Sequence, residues 1–140
     1  MIKHIMIGII LSSMVFCGTA LAEQATAEKA ALDAAEAWLK LVDEGNYTES
    51  WNEASGYFKN AITREQWEQT VQGVRGPLGK TVSRTLKSMK YTTTLPGAPD
   101  GAYVVIQFDS SFTHKKTAVE TITPMLDKDG MWRVSGYYIK

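Results

Sequence analysis

The apolar residues of this chain change their period once, between Gly79 and Thr81. Before that point they recur every three or four positions, the spacing of a helix that buries one stripe. After it they recur at every second position, the spacing of a strand that buries one face. A chain written in this order lays down helices first and a run of strands afterwards. Strands that follow one another across short turns pair antiparallel, because a parallel neighbour needs a long crossover. The expected fold is therefore α+β, with three N-terminal helices packed on a curved four-stranded antiparallel sheet in a cone-like arrangement.

Ala25 to Asp43 consists mainly of Ala, Glu, Lys and Leu, all strong helix formers, and Ala31, Ala34, Trp38, Leu41 and Val42 fall on one face. Gly45 ends this helix, and Asn46 caps a short second one that contains Tyr47 and Trp51 and ends near Gly56. Thr63 with Gln66 forms a capping box for a third helix through Trp67 and Val71, which Gly76-Pro77 and Gly79 terminate. Thr81 to Thr94 reads as a first strand whose imperfect alternation predicts a bulge. Leu95 to Gly101 is a turn, and Ala102 to Thr113 a second strand with Val104, Ile106, Phe108 and Phe112 on one parity. Thr117 to Leu126 follows, then a turn at Asp127 to Gly130 and a last strand from Met131 to Ile139. There Trp132, Val134 and Tyr138 share the inner parity, and Arg133, Ser135 and Tyr137 the outer.

Residues 1–22 stand apart from this pattern. Lys3 and His4 are followed by an uncharged apolar run from Ile5 to Cys17 and by the small-x-small triplet Ala20-Leu21-Ala22. This reads as a cleaved export signal ending at Ala22, because the run is shorter than the roughly 20 residues a membrane span needs. The bulky Phe16 before Cys17 argues against acylation at that cysteine. Residues 23–140 are then expected to form a single α+β domain, periplasmic or secreted, with no membrane anchor in the mature form. Cys17 is the only cysteine, so the mature chain supports neither a disulfide scaffold nor thiol chemistry. Lys and Arg together number 15, as do Asp and Glu, which removes the positive excess that nucleic-acid binding draws on.

Six residues form the candidate ligand-binding set: Trp51, Trp67, Arg75, Arg84, Glu120 and Tyr137. Glu120 shares a strand face with Ala118, Ile122 and Leu126, where a carboxylate without a partner costs several kcal/mol. It is a general base or ligand anchor, one half of an ion pair with Arg84 or Arg133, or a residue of a strand whose other face is the inward one. Arg75 and Arg84 bracket the Gly76-to-Gly79 turn; a guanidinium there can hold a carboxylate or phosphate with two bonds, or cap helix carbonyls and pair with a neighbouring acid. The tryptophans and tyrosines can line a pocket for a ring-bearing ligand or simply pack the core.

No catalytic residue, metal or cofactor is expected. His114 is the only histidine outside the export segment and lies in a His-Lys-Lys turn, away from any acid that would orient it. One histidine and no cysteine cannot build a transition-metal shell, and the Asp127-to-Gly130 turn lacks the downstream glutamate of a calcium loop. Asp109 has outward parity, which counts against a role as a strand base.

Longer motifs carry a resemblance. Ala37-Trp38-Leu39 with Gly45-x-Tyr47-x-x-Ser50-Trp51, Arg75-Gly76-Pro77-Leu78-Gly79 with Ser83-Arg84, Pro96-Gly97-x-Pro99-x-Gly101-x-Tyr103, and Glu120-Thr121-Ile122-Thr123 with Asp129-Gly130-x-Trp132-Arg133-Val134-x-Gly136-Tyr137-Tyr138 resemble the family called domain of unknown function 4019, small exported bacterial proteins. The order of elements is also similar to the cone-shaped nuclear transport factor two-like and cystatin-like folds. The family carries no assigned activity, so the resemblance implies location and fold more than function.

Three readings follow. The first is a non-catalytic domain that binds a small molecule or peptide between helices and sheet. The second is a homodimeric interaction module joined through the outer sheet face or an edge. The third is an isomerase or dehydratase with Glu120 as base and a tyrosine as hydrogen-bond donor.

Overall fold

The computed structural model describes residues 16–140, so the part of the expected export segment before Phe16 lies outside the described residues. Four helices precede four strands: α1 (Phe16–Asp43), α2 (Tyr47–Asn52), α3 (Gly56–Ala61), α4 (Arg64–Leu78), β1 (Thr81–Thr92), β2 (Tyr103–Phe112), β3 (Lys115–Leu126) and β4 (Trp132–Ile139). The expected α+β order holds.

The helices differ from expectation in three places. α1 begins well before Ala25 and runs without a break through Ala22. Its buried stripe is Ala31, Ala35, Trp38, Leu39 and Val42, with Ala34 and Leu41 half-buried beside it. The short helix expected after Asn46 forms as α2, and α3 is an additional helix that begins at Gly56, where the expected one was to end. Ser55 precedes it with an extended backbone, its side chain accepts from the Phe58 N–H to cap α3, and its own N–H donates 2.9 Å to the Val134 carbonyl of β4. Pro77 does not stop α4 but sits in its last turn, where its missing N–H costs a single helix bond. Gly79, at φ 77°, ends the helix as expected. The Thr63–Gln66 capping box forms as expected.

The sheet is an antiparallel meander in the order β1-β2-β3-β4. β1 carries two register shifts, between Thr81 and Ser83 and between Leu86 and Ser88, which account for its poor alternation. The bulge with most effect on the site is in β4. Thr123 pairs with Gly136 and Pro124 with Val134, so Ser135 is the extra residue, and its hydroxyl donates 2.7 Å to the Thr123 carbonyl. One inserted residue reverses the parity of everything after it. The expected assignment of Tyr138 inward and Tyr137 outward is therefore reversed. Tyr137 packs against Trp38 at 5.3 Å between ring centroids, and Tyr138 is 52% exposed.

One core serves both halves. Val104, Ile106 and Phe108 of β2, Ile122 of β3 and Val134 of β4 meet the α1 stripe together with Phe58, Trp67 and Val71. Among the described residues no helix is long and apolar enough to cross a membrane.

Candidate functional site

The C-terminal end of α1, the last turns of α4 and the start of β1 meet at one end of the sheet. Antiparallel register does the rest: Arg84 of β1 pairs with Ser110 of β2, and Glu120 of β3 lies opposite Phe108 and Ile139. Four of the six candidate residues, Arg75, Arg84, Glu120 and Tyr137, thereby come into one cluster.

Glu120 is fully buried and every lone pair of its carboxylate is taken. Oε1 accepts from Arg84 Nε at 2.7 Å and from the Ser110 hydroxyl at 2.5 Å. Oε2 accepts from Arg84 Nη2 at 3.1 Å and from the Tyr137 hydroxyl. The ion-pair reading with Arg84 is the one realised; Arg133 instead pairs with Asp127 and Asp129 in the β3–β4 turn.

The other end of the Arg84 fork holds Asp43, the last residue of α1, through Nη1 at 2.8 Å and Nη2 at 3.0 Å. Arg75 donates 2.8 Å to the same carboxylate and 2.8 Å to the Thr81 hydroxyl, which itself donates to Asp43 at 2.9 Å. Arg75 does not bond its helix's last carbonyls, as the capping alternative would have it. Its guanidinium lies 4.9 Å from the Phe112 ring centre and donates to the Tyr137 hydroxyl at 3.4 Å. Its Nε is buried with no partner among the described residues.

Two arginines and two carboxylates make this cluster internally neutral. Burial works to raise the pKa of Asp43, but hydrogen bonds from Arg84 and Arg75 outweigh it and hold the group below its ordinary 3.8. Burial and the adjacent Glu120 carboxylate push the Tyr137 phenol far above its usual 10.0. Burial likewise opposes the charge on Arg84, yet Asp43 and Glu120 raise its pKa overall. Such groups hold their charge states across the physiological range. With Ser110 they fasten α1, α4 and all four strands together and leave no free acceptor on Glu120 for a substrate proton.

The aromatic candidates serve two other places. Trp67 is buried, with its ring 5.7 Å from Trp38 and 5.0 Å from Phe58. Ser50 holds both indoles, its carbonyl accepting from Trp38 at 2.7 Å and its hydroxyl from Trp67 at 2.9 Å. Trp38, Phe58, Trp67 and Tyr137 thus fill the space between helices and sheet. Trp51 is half-buried and packs against the margin of this core, with its N–H on the Ile62 carbonyl at 3.0 Å. Asp109 is exposed near Lys87, and His114 is exposed in the β2–β3 turn, its backbone N–H on the Leu78 carbonyl.

The open space lies outside this wall, in a trough between α1 and β4 that none of the six candidates lines. Its main chamber, about 460 Å³, is bounded by Ala30, Ala34, Ala37, Trp38 and Leu41 on the helix and by Met131, Trp132 and Val134 opposite, with Glu53 and Arg133 also in its lining. A second chamber, about 430 Å³, shares Ala30 and Trp132 and continues past Tyr91 and Leu126 to Ala22. Together with a smaller recess at Ala20 they follow α1 for roughly 30 Å, at 1.5 Å of rise per residue. The volume of the main chamber suits a small organic molecule. Sequence reasoning missed this trough, although the 4-3-4 spacing of Ala30, Ala34, Ala37 and Leu41 marks a second stripe beside the buried one. It missed Asp43 and Ser110 as well, because their roles depend on pairing across distant elements.

A family profile described as a protein of unknown function (DUF4019) matches residues 34–137. The chain belongs to this family. The matched span holds the whole charged cluster, the aromatic wall and most of the main chamber. No curated protein matches the sequence. Among the described residues no group of three His, Cys, Asp or Glu side chains is placed to hold a metal ion.

Proposed function

We propose that this domain is a non-catalytic binding module that takes a small apolar or ring-bearing molecule in the trough beside α1. The observation that carries this reading is the trough's make-up: three alanines with Trp38 and Leu41 along α1, Met131, Trp132 and Val134 from the other side, and only two charged side chains, Glu53 and Arg133, in the lining. Apolar lining with a few peripheral polar groups is the usual composition of a ligand cleft. The charged cluster supports the same reading indirectly, since its donors and acceptors are spent on one another. The site is thus proposed at the trough and not at Arg75, Arg84 and Glu120.

Native mass spectrometry of the protein purified from its own cells tests this. The expected result is a reproducible mass excess over the polypeptide that Ala37→Trp, a substitution on the exposed trough wall, abolishes. A bare polypeptide for both proteins contradicts the reading.

A second reading, a homodimer, is favoured by one feature. The helices pack against the sheet face that presents Val104, Ile106 and Ile122, and the opposite face presents Val105, Val119 and Met125, half-buried, beside the exposed Tyr138. Bulges in β1 and β4 guard the two edges, which directs any pairing to the face. Sedimentation showing a monomer at high concentration removes it.

A further inference from the structure

We propose that the molecule held in the trough is a long, unbranched single-chain amphiphile whose cationic head group sits at the Glu53 end. This assignment rests on the binding reading above and adds the chemical class of the ligand. The course of the trough and the charge at its ends carry it. Glu23, Ala27, Ala30, Ala34, Ala37 and Leu41 line it in steps of four and three, a seven-residue repeat. Such a repeat drifts only about 20° around a straight helix per seven residues, so this wall runs nearly parallel to the axis of α1. From Glu23 to Leu41 it extends about 27 Å, at 1.5 Å of rise per residue. The two larger chambers meet at Ala30 and Trp132, and the second meets the recess at Glu23, Ala27 and Tyr91. A compact molecule fills one chamber; a linear one threads both.

An extended peptide would bring a donor and an acceptor per residue against walls that are mostly hydrocarbon, and each amide left unpaired costs free energy. A hydrocarbon chain brings neither. The head group follows from the end formed by Glu53, Gly130 and Arg133. Arg133 is the one cation in the main chamber's lining, and it is held by Asp127 at 3.2 Å and Asp129 at 2.8 Å. Lys59, close by in sequence, donates to the Asn52 carbonyl at 3.3 Å and lies 5.9 Å from the Trp51 ring centre. Lys128 is exposed in the same turn as the two aspartates and lies outside the lining. Glu53 is exposed at the chamber's end and takes part in no ion pair among the described residues. Three carboxylates thus stand against one guanidinium here, a balance that an ammonium head improves and an anionic head worsens. At the far end Glu23 is the only charged side chain in the lining, so neither end favours an anion.

The experiment is isothermal titration calorimetry of the purified protein with octyl-, decyl-, dodecyl- and tetradecyltrimethylammonium, each kept below its micelle concentration. Affinity should rise about two- to fourfold per added methylene as the chain enters the second chamber. Ala27→Trp, which fills that chamber, should abolish the gain of the longer chains and leave octyl binding in place. Where this variant fails to fold, Leu126→Trp on the opposite, partly exposed wall of the same chamber supplies the block. Ala25→Trp, exposed and outside the lining, should leave the series unchanged. Glu53→Gln should weaken dodecyltrimethylammonium by about two- to fivefold and leave the uncharged dodecyl maltoside unaffected. Dodecanoate should bind more weakly than dodecyltrimethylammonium. Equal affinity for all four chains, or tighter binding of dodecanoate, overturns the assignment yet leaves the trough as a binding site. No binding by any of these probes overturns both.

Discussion

Glu120 shows how a single burial position decides between chemistry and architecture. A carboxylate with all of its lone pairs filled is a strut, and its cost falls due when a partner is removed. Arg84→Ala leaves that carboxylate buried with only neutral donors, so the expected loss is about 3–5 kcal/mol of unfolding free energy, measured by urea denaturation. Tyr137→Phe removes one donor and should cost about 1–3 kcal/mol. Tyr137 also supplies a spectroscopic test. Its folded-state pKa is raised, so its contribution to stability is complete below 10.0 and fades as pH rises toward the folded value. In an ultraviolet titration of the native protein, its phenol should stay protonated while exposed tyrosines ionise. Ionisation of all six tyrosines together near 10 would contradict the burial described. The sequence made Glu120 legible as an anomaly on an apolar face and named Arg84 as a partner. Asp43 was not legible, because nothing in a helix-terminal aspartate says which strand will meet it.

Among the elements, turns and bulges set what strands can present. The alternation in β4 was read correctly up to Val134 and inverted afterwards, since an extra residue at Ser135 is invisible to a period-two count. Deleting Ser135 removes the extra residue and leaves the other pairs in register, with Gly136 outward, Tyr137 still inward and its Glu120 contact kept; a retained cooperative transition is the expected result, and its loss would contradict the bulge assignment. Two glycines at positive φ give a graded comparison. Gly45→Ala meets open space and should cost about 1 kcal/mol for the backbone conformation alone. Gly79→Ala adds a Cβ 2.9 Å from the His114 ring and 3.0 Å from Thr113 Cβ, so its thermal midpoint should fall further. The extra helix α3 is not expected from sequence for a similar reason: Ser55, its cap, is held in place by β4, where the Val134 carbonyl accepts its N–H.

For the molecule as a whole, local signals were enough for the class of fold and insufficient for the place of a ligand. Helix period followed by strand period specifies the layers, and the turn residues specify the meander. Where open space remains depends on how α1 crosses the sheet, which no stretch of sequence encodes alone. Acid stability should reflect the neutral cluster. Asp43 has a lowered folded-state pKa, so its contribution is present above 3.8 and is lost as pH falls through the folded value. Asp43→Asn should flatten the fall in urea midpoint on acidification below about pH 4, and an unchanged slope would place the sensitivity elsewhere. The most direct test of the binding account is amide chemical-shift mapping while an apolar ring-bearing probe, 8-anilino-1-naphthalenesulfonate, is titrated in. The account predicts saturable shifts along Ala30 to Leu41 and Met131 to Val134 that Ala37→Trp removes and Glu36→Trp, on a position of α1 outside the trough, preserves. Shifts centred on Arg84, Ser110 and Glu120, or no saturable shift at all, would contradict it.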